Sequence, residues 1–167
     1  MLVLLLIVYP FDYNLIIYCY YLNSPDYTLD QTDTKQAIKE FQRFTVLYPK
    51  SVRIAICNDI LDKLRYKLEH KSYDNAMLYY RMMDYKAAVV ACGNHIKDFP
   101  DSKYVEEMNY IIIKSWYMYA SNSIESKKME RYQSAVSAYL KFVDVFPNSN
   151  YVKQAQTVYD DALLAID

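Results

Sequence analysis

Ala88-Val89-x2-Cys92-x2-His95-x3-Phe99-Pro100-x-Ser102 decides the fold, because the same pattern stands twice more in the chain. It recurs as Ala37-Ile38-x2-Phe41-x2-Phe44-x3-Tyr48-Pro49-x-Ser51 and as Ala135-Val136-x2-Tyr139-x2-Phe142-x3-Phe146-Pro147-x-Ser149. In each copy alanine lies twelve residues before proline, a β-branched residue follows it, and an aromatic residue immediately precedes the proline. The positions 12, 8, 5 and 1 before proline have helical spacing, which predicts one stripe on one helix face. The small alanine lets a neighbouring helix approach closely. Proline stops the helix, and the serine two residues later is placed to cap the next one.

At the alanine, aromatic and proline positions this pattern resembles the second helix of a tetratricopeptide repeat. The first helix should lie upstream. For the middle copy, Ser72 to Tyr80 carries Ala76 and Tyr79, and Asp84-Tyr85 makes the turn. Tyr79 and Tyr139, on repeat positions, read as core. The prolines are 51 and 47 residues apart, longer than one such repeat, and extra helical length explains the excess. Cys57, Leu61, Leu64 and Leu68 share one helical face, as do Val105, Met108, Ile112, Ser115 and Tyr119. The reading predicts helices at Phe11–Leu22, Lys35–Tyr48, Ser51–Glu69, Ser72–Met82, Lys86–Asp98, Lys103–Asn122, Arg131–Phe146 and Tyr151–Ile166. The fold class is all-α: a tetratricopeptide-like solenoid of about three helix pairs.

Composition agrees. The 167 residues are 53 % hydrophobic, with 20 tyrosines, five prolines and a single glycine, Gly93. Sheets and barrels need turn residues at many corners, and phosphate-cradling loops need glycine clusters. Gly93 inside a helix costs about 1 kcal/mol against alanine. The net charge of −1 gives no global field to attract nucleic acid or an anionic membrane. Cys19, Cys57 and Cys92 form no C-x-x-C pair, so neither zinc nor redox chemistry is suggested, and free thiols are expected.

A larger symmetry is also visible. Tyr18-x2-Tyr21-x-Asn23-Ser24 resembles Tyr117-x2-Ala120-x-Asn122-Ser123, and each leads into a polar connection, Pro25 to Thr34 or Ile124 to Arg131. This predicts an extended loop in alternate repeats, a place where contacts are often carried. Met1 to Val8 is apolar, yet the first basic residue is Lys35, so the basic n-region of a secretory signal is lacking. A membrane span through Leu22 would include Pro10, Asp12 and Asn14. Residues 1–10 read as a truncated or aberrant apolar start, and residues 11–167 as the repeat domain.

Tyr20-Tyr21-Leu22-Asn23-Ser24-Pro25-Asp26-Tyr27-Thr28-Leu29-Asp30-Gln31-Thr32-Asp33 is similar to the loop segment of BamD-type outer-membrane assembly lipoproteins, the YfiO family. So is Asp84-Tyr85-Lys86-Ala87-Ala88-Val89-Val90, followed by Asp98-Phe99-Pro100-Asp101-Ser102-Lys103-Tyr104. The similarity runs from about Tyr18 to Leu164 and fits the C-terminal part of that family. It implies a repeat scaffold at the periplasmic face of the bacterial outer membrane, without a cofactor. It also implies POTRA domains of a barrel-forming protein, and other assembly lipoproteins, as partners. In that family a lipid on an N-terminal cysteine makes the membrane tether. The chain departs from the pattern in lacking that cysteine and the first two repeats, and in placing Cys92-Gly93 where a bulky helix residue is usual.

Nothing in the motifs points to catalysis. His70 and His95 are 25 residues apart on separate predicted helices, His95 on the packing stripe and His70 in solvent at a helix junction. No Gly-x-Ser-x-Gly, His-Glu-x-x-His or Walker pattern occurs. The expected roles are therefore repeat packing and partner binding. Packing falls to Ala37, Phe41, Pro49, Ala76, Ala88, Pro100, Ala135, Tyr139 and Pro147. The candidates for a partner surface are Tyr27 and Tyr104, near turns, and the basic cluster Lys127, Lys128 and Arg131 on the second polar connection. The alternative function is an envelope repeat module for carbohydrate capture or envelope maintenance; carbohydrate capture needs aromatic platforms beside amides and carboxylates, and the sequence shows no such cluster.

Overall fold

The computed structural model describes residues 18–166. The apolar segment 1–10 and most of the helix expected at Phe11–Leu22 lie outside them. Residues 18–23 are helical. Six helices follow: α1 Thr32–Leu47, α2 Ile54–Arg81, α3 Tyr85–Asp98, α4 Val105–Ser121, α5 Glu125–Val145 and α6 Val152–Leu164. No strand occurs among the described residues, and the fold is an all-helical, tetratricopeptide-like array. The described residues divide into two compact units, one ending at Lys71 and the other starting at Ser72.

The three proline-ended copies have one geometry, in which Pro49, Pro100 and Pro147, expected to pack, are exposed and serve only to stop the helix. Tyr48, Phe99 and Phe146 end their helices with φ/ψ of −129/57°, −134/66° and −125/60°. Their N–H groups donate to Phe44, His95 and Phe142 at 2.9, 2.9 and 2.8 Å. Ser51, Ser102 and Ser149 then accept the N–H two residues on, from Arg53, Tyr104 and Tyr151, at 3.3, 3.1 and 3.2 Å. The serines therefore close a turn just ahead of the next helix. They are not its caps, since those places fall to Tyr104 and Tyr151 before α4 and α6.

In each unit the stripe residues make local cores. Ala37, Phe41 and Phe44 of α1 meet Cys57, Ile60 and Leu64 of α2 in the first unit. In the second, Ala76, Cys92, Met108 and Ile111 form one cluster. Ile113, Tyr139, Phe142 and Ala155 form another, and Ala120, Tyr132, Ala135 and Ala162 a third. Serial cores of this kind are how a solenoid buries apolar surface between neighbours. The stripe also extends one turn earlier than its spacing predicts, to Thr34, Tyr85 and Tyr132, all buried. Tyr79 is not core: it is 41 % exposed, and Tyr80, four residues on from Ala76, takes the inward place.

Among the described helices, the boundaries differ from the sequence reading by more than three residues in two places. The helices expected at Ser51–Glu69 and Ser72–Met82 are one helix, α2, of 28 residues. Glu69-His70-Lys71-Ser72 holds neither proline nor glycine, and propagation through it is easier than a break and a second nucleation. The helix expected from Arg131 starts at Glu125, so the second polar connection is helical. Its residues are fair helix formers, and Lys128–Glu125 and Lys127–Glu130 pair one turn apart at 2.8 and 3.0 Å. The large symmetry does survive in one bond. Ser24 N–H donates to Tyr21 and Ser123 N–H to Ala120, at 3.1 and 3.0 Å, before the two paths part.

The helix carrying Cys92-Gly93 is unbroken, and a Cβ built on Gly93 meets nothing within 4 Å. Gly93→Ala is therefore expected to stabilise by about 1 kcal/mol, by removing backbone freedom from the unfolded chain. Urea unfolding checks this, and a loss of stability would show that the space beside Gly93 is not open.

Candidate docking surfaces

In the first unit, the loop between the helical residues 18–23 and α1 is wired throughout. Asp26 Oδ1 accepts from the N–H and hydroxyl of Thr28 at 3.0 and 2.7 Å, and Asp30 Oδ1 from the Thr32 N–H at 2.9 Å. These bonds hold both carboxyls below the usual carboxylate range; for Asp26 the Thr28 backbone is the main cause, for Asp30 the Thr32 side chain. Buried Gln31 donates its amide to the carbonyls of Asp26 and Leu29 at 2.8 and 3.0 Å and accepts from Thr34 at 2.7 Å. Such short-range bonds divert the backbone from helix. That is why this connection stays a loop while its counterpart at 124–131 does not.

Two lysines one turn apart on α2 fix the loop from outside. Lys67 Nζ donates to the carbonyl and hydroxyl oxygens of Ser24 at 3.2 and 2.8 Å. Lys71 Nζ donates to the carbonyls of Tyr27, Thr28 and Leu29 at 3.2, 3.2 and 2.7 Å. Tyr27 lies against His70, ring centroids 4.3 Å apart, with Tyr66 at the His70 edge at 6.0 Å. These rings, with Asp26, Lys63 and Lys67, line an open hollow of about 410 Å³. His70 is thus half-buried inside a helix, not solvated at a junction.

In the second unit, a groove of about 510 Å³ runs between α4 and α5. Ile112 and Trp116 line it beside Asn109, Gln133, Ser134 and Ser137, with Glu130 and Lys141 eleven residues apart along α5. Its lining mixes amides and hydroxyls with one large aromatic, which suits a peptide or another polar chain.

The sequence-based surface candidates fall in different settings. Tyr104 lies in its turn, as expected, and is half-buried, stacked on Tyr73 at 4.0 Å because the turn folds back over the core. Burial, then Glu107, pushes the Tyr73 hydroxyl up to about 12. Lys127, Lys128 and Arg131 lie on helix α5 and not on a loop. Arg131 covers the Tyr119 ring at 3.8 Å and donates to Ser123. His95 is fully buried, its Nε2 3.1 Å from the Ser102 hydroxyl. All three cysteines are free, with Cys19 exposed and Cys57 and Cys92 buried. Burial pushes the Cys92 thiol up to about 12, so it carries no thiolate for chemistry at neutral pH. Sequence reasoning missed Gln31, Lys67 and Lys71. The Asp-x-Thr pairs at 26–28 and 30–32, and two lysines four residues apart, were the available signals.

A helical-repeat array with open grooves and an externally fixed loop is an architecture that presents extended binding surfaces. The family model for the YfiO outer membrane lipoproteins matches residues 27–163, most of the chain, and the chain belongs to that family. This makes it an outer membrane lipoprotein of the assembly type, a scaffold class associated with the outer membrane. No curated protein matches it. Among the described residues, no helix is long and apolar enough to cross a membrane.

Proposed function

We propose that this chain is a non-catalytic scaffold of the outer-membrane β-barrel assembly machinery. It holds the POTRA domains of the barrel-forming partner and touches other assembly lipoproteins. The observation that carries the proposal is the family match together with the open α4–α5 groove, whose exposed Gln133 and Ser137 are free to meet a partner chain. The net charge of −1 gives little long-range steering, so affinity rests on buried contacts and falls only modestly between about 50 and 200 mM salt. Calorimetry with the partner's periplasmic domains tests this. Ser137→Arg, which fills the groove from an exposed site, should weaken binding by about tenfold or more while leaving the fold intact. No binding by the folded chain sinks the scaffold reading, and unchanged binding by Ser137→Arg sinks the groove as its site. Amides and hydroxyls around Trp116 also favour a second reading, carbohydrate capture, and a glycan array separates the two.

A further inference from the structure

In the second unit, consecutive helices are joined by short connections and pack on one another, so they alternate in direction. The α2–α3 turn at 82–84 and the α4–α5 turn at 122–124 therefore lie at one end, and the two proline turns at the other. Large apolar side chains project from the first end: Met82 is 66 % exposed, Met83 71 % and Ile124 71 %.

Two local conflicts coincide there. The α2 terminus is closed by bonds from Asp84 N–H to Tyr79 and from Met83 N–H to Tyr80, at 3.1 and 3.0 Å. This closure places the residue after the cap in the left-handed region, where glycine is favoured. The residue is Met83, with φ 61°. In addition, Lys127 and Lys128 occupy the first turns of α5, next to the positive end of its dipole, where exposed pairs with Glu130 and Glu125 at 3.0 and 2.8 Å offset only part of the conflict. Residues 78–90 and 118–131 hold five basic side chains against three acidic ones. Residues 94–108 and 141–155, at the opposite end, hold four against five.

We propose that this end of the second unit seats on an anionic bilayer surface. Met82, Met83 and Ile124 enter the headgroup boundary, and Arg81, Lys86, Lys127 and Lys128 meet lipid phosphates. Apolar tips ringed by net positive charge suit a deformable, negatively charged surface. A protein partner would need pockets shaped to these tips, whereas a bilayer does not. Membership of an outer membrane lipoprotein family puts a membrane within reach. The contact is separate from any lipid tether and from the α4–α5 groove, so it stands or falls independently of POTRA docking.

Co-sedimentation of the purified chain with vesicles tests it. The probes are phosphatidylethanolamine vesicles containing phosphatidylglycerol, and neutral phosphatidylcholine vesicles. The chain should bind the anionic vesicles, and added salt should weaken that binding. The double variant Met82→Ser, Met83→Gly should lose about tenfold or more, the scale of one or two exposed apolar anchors. That variant keeps its fold, because Met83→Gly relieves the left-handed backbone, and circular dichroism checks this. The proposal is overturned if the folded chain ignores anionic vesicles. It is also overturned if the double variant binds them as before, or if binding is equal on neutral vesicles, as an apolar contact through residues 1–8 would give. If the double variant loses POTRA binding and keeps vesicle binding, the turn is a protein interface and the membrane contact fails.

Discussion

Ala135→Arg is expected to destabilise the second unit by about 4 kcal/mol, a large effect for one substitution. Ala135 is fully buried in a cluster with Ala120, Tyr132 and Ala162. Three of those four side chains are single methyl groups, so helices α4, α5 and α6 approach closely where they meet. A guanidinium at Ala135 has no carboxylate in that cluster, and its stem has no volume to enter. The chain must either part the helices or bury an unpaired charge, and both are costly. Ser137→Arg supplies the control. It lies two residues along the same helix on an exposed position and should cost less than about 0.5 kcal/mol. Urea unfolding of both variants checks the pair. Equal losses would mean that the α5 stripe does not separate a packed face from an open one.

The contrast between those positions is legible in the sequence because helical spacing alone puts Ala135 on the stripe and Ser137 off it. The same periodicity finds the helices and their proline-ended stops. It fails where the signal is a junction. His70-Lys71-Ser72 resembles a boundary because serine often starts helices, yet nothing there stops one, and α2 runs through. At Ile124 to Arg131, polarity suggests a loop, while the local chemistry of glutamate and lysine favours helix. Tyr79 is exposed where core was expected, and Tyr104 is half-buried in its turn, since burial of a tyrosine near a turn depends on how the turn folds back. The docking surfaces are less legible still. The groove is made of residues on two helices, and the loop anchors Lys67 and Lys71 act at a separation of about forty residues, which spacing within one element does not reveal.

Lys71→Met should cost the first unit about 2 kcal/mol and release the loop around Tyr27. Methionine keeps the length and apolar stem of lysine while removing the ammonium that holds the carbonyls of Tyr27, Thr28 and Leu29. Bonds to a charged donor are stronger than neutral ones, but two of these three are exposed, so water replaces part of what is lost. Lys67→Met leaves those three carbonyls held and frees only Ser24. Amide exchange distinguishes the two. Thr28 N–H, on Asp26 Oδ1, and Leu29 N–H, on the Asp26 carbonyl, should exchange about tenfold faster in Lys71→Met, with little change in Lys67→Met. Equal protection in both variants would mean that the Asp26 and Gln31 bonds hold the loop unaided. Faster exchange confined to Lys71→Met would instead make α2 the element that sets Tyr27 against His70. The aromatic hollow beneath the loop would then exist only while that single ammonium is in place.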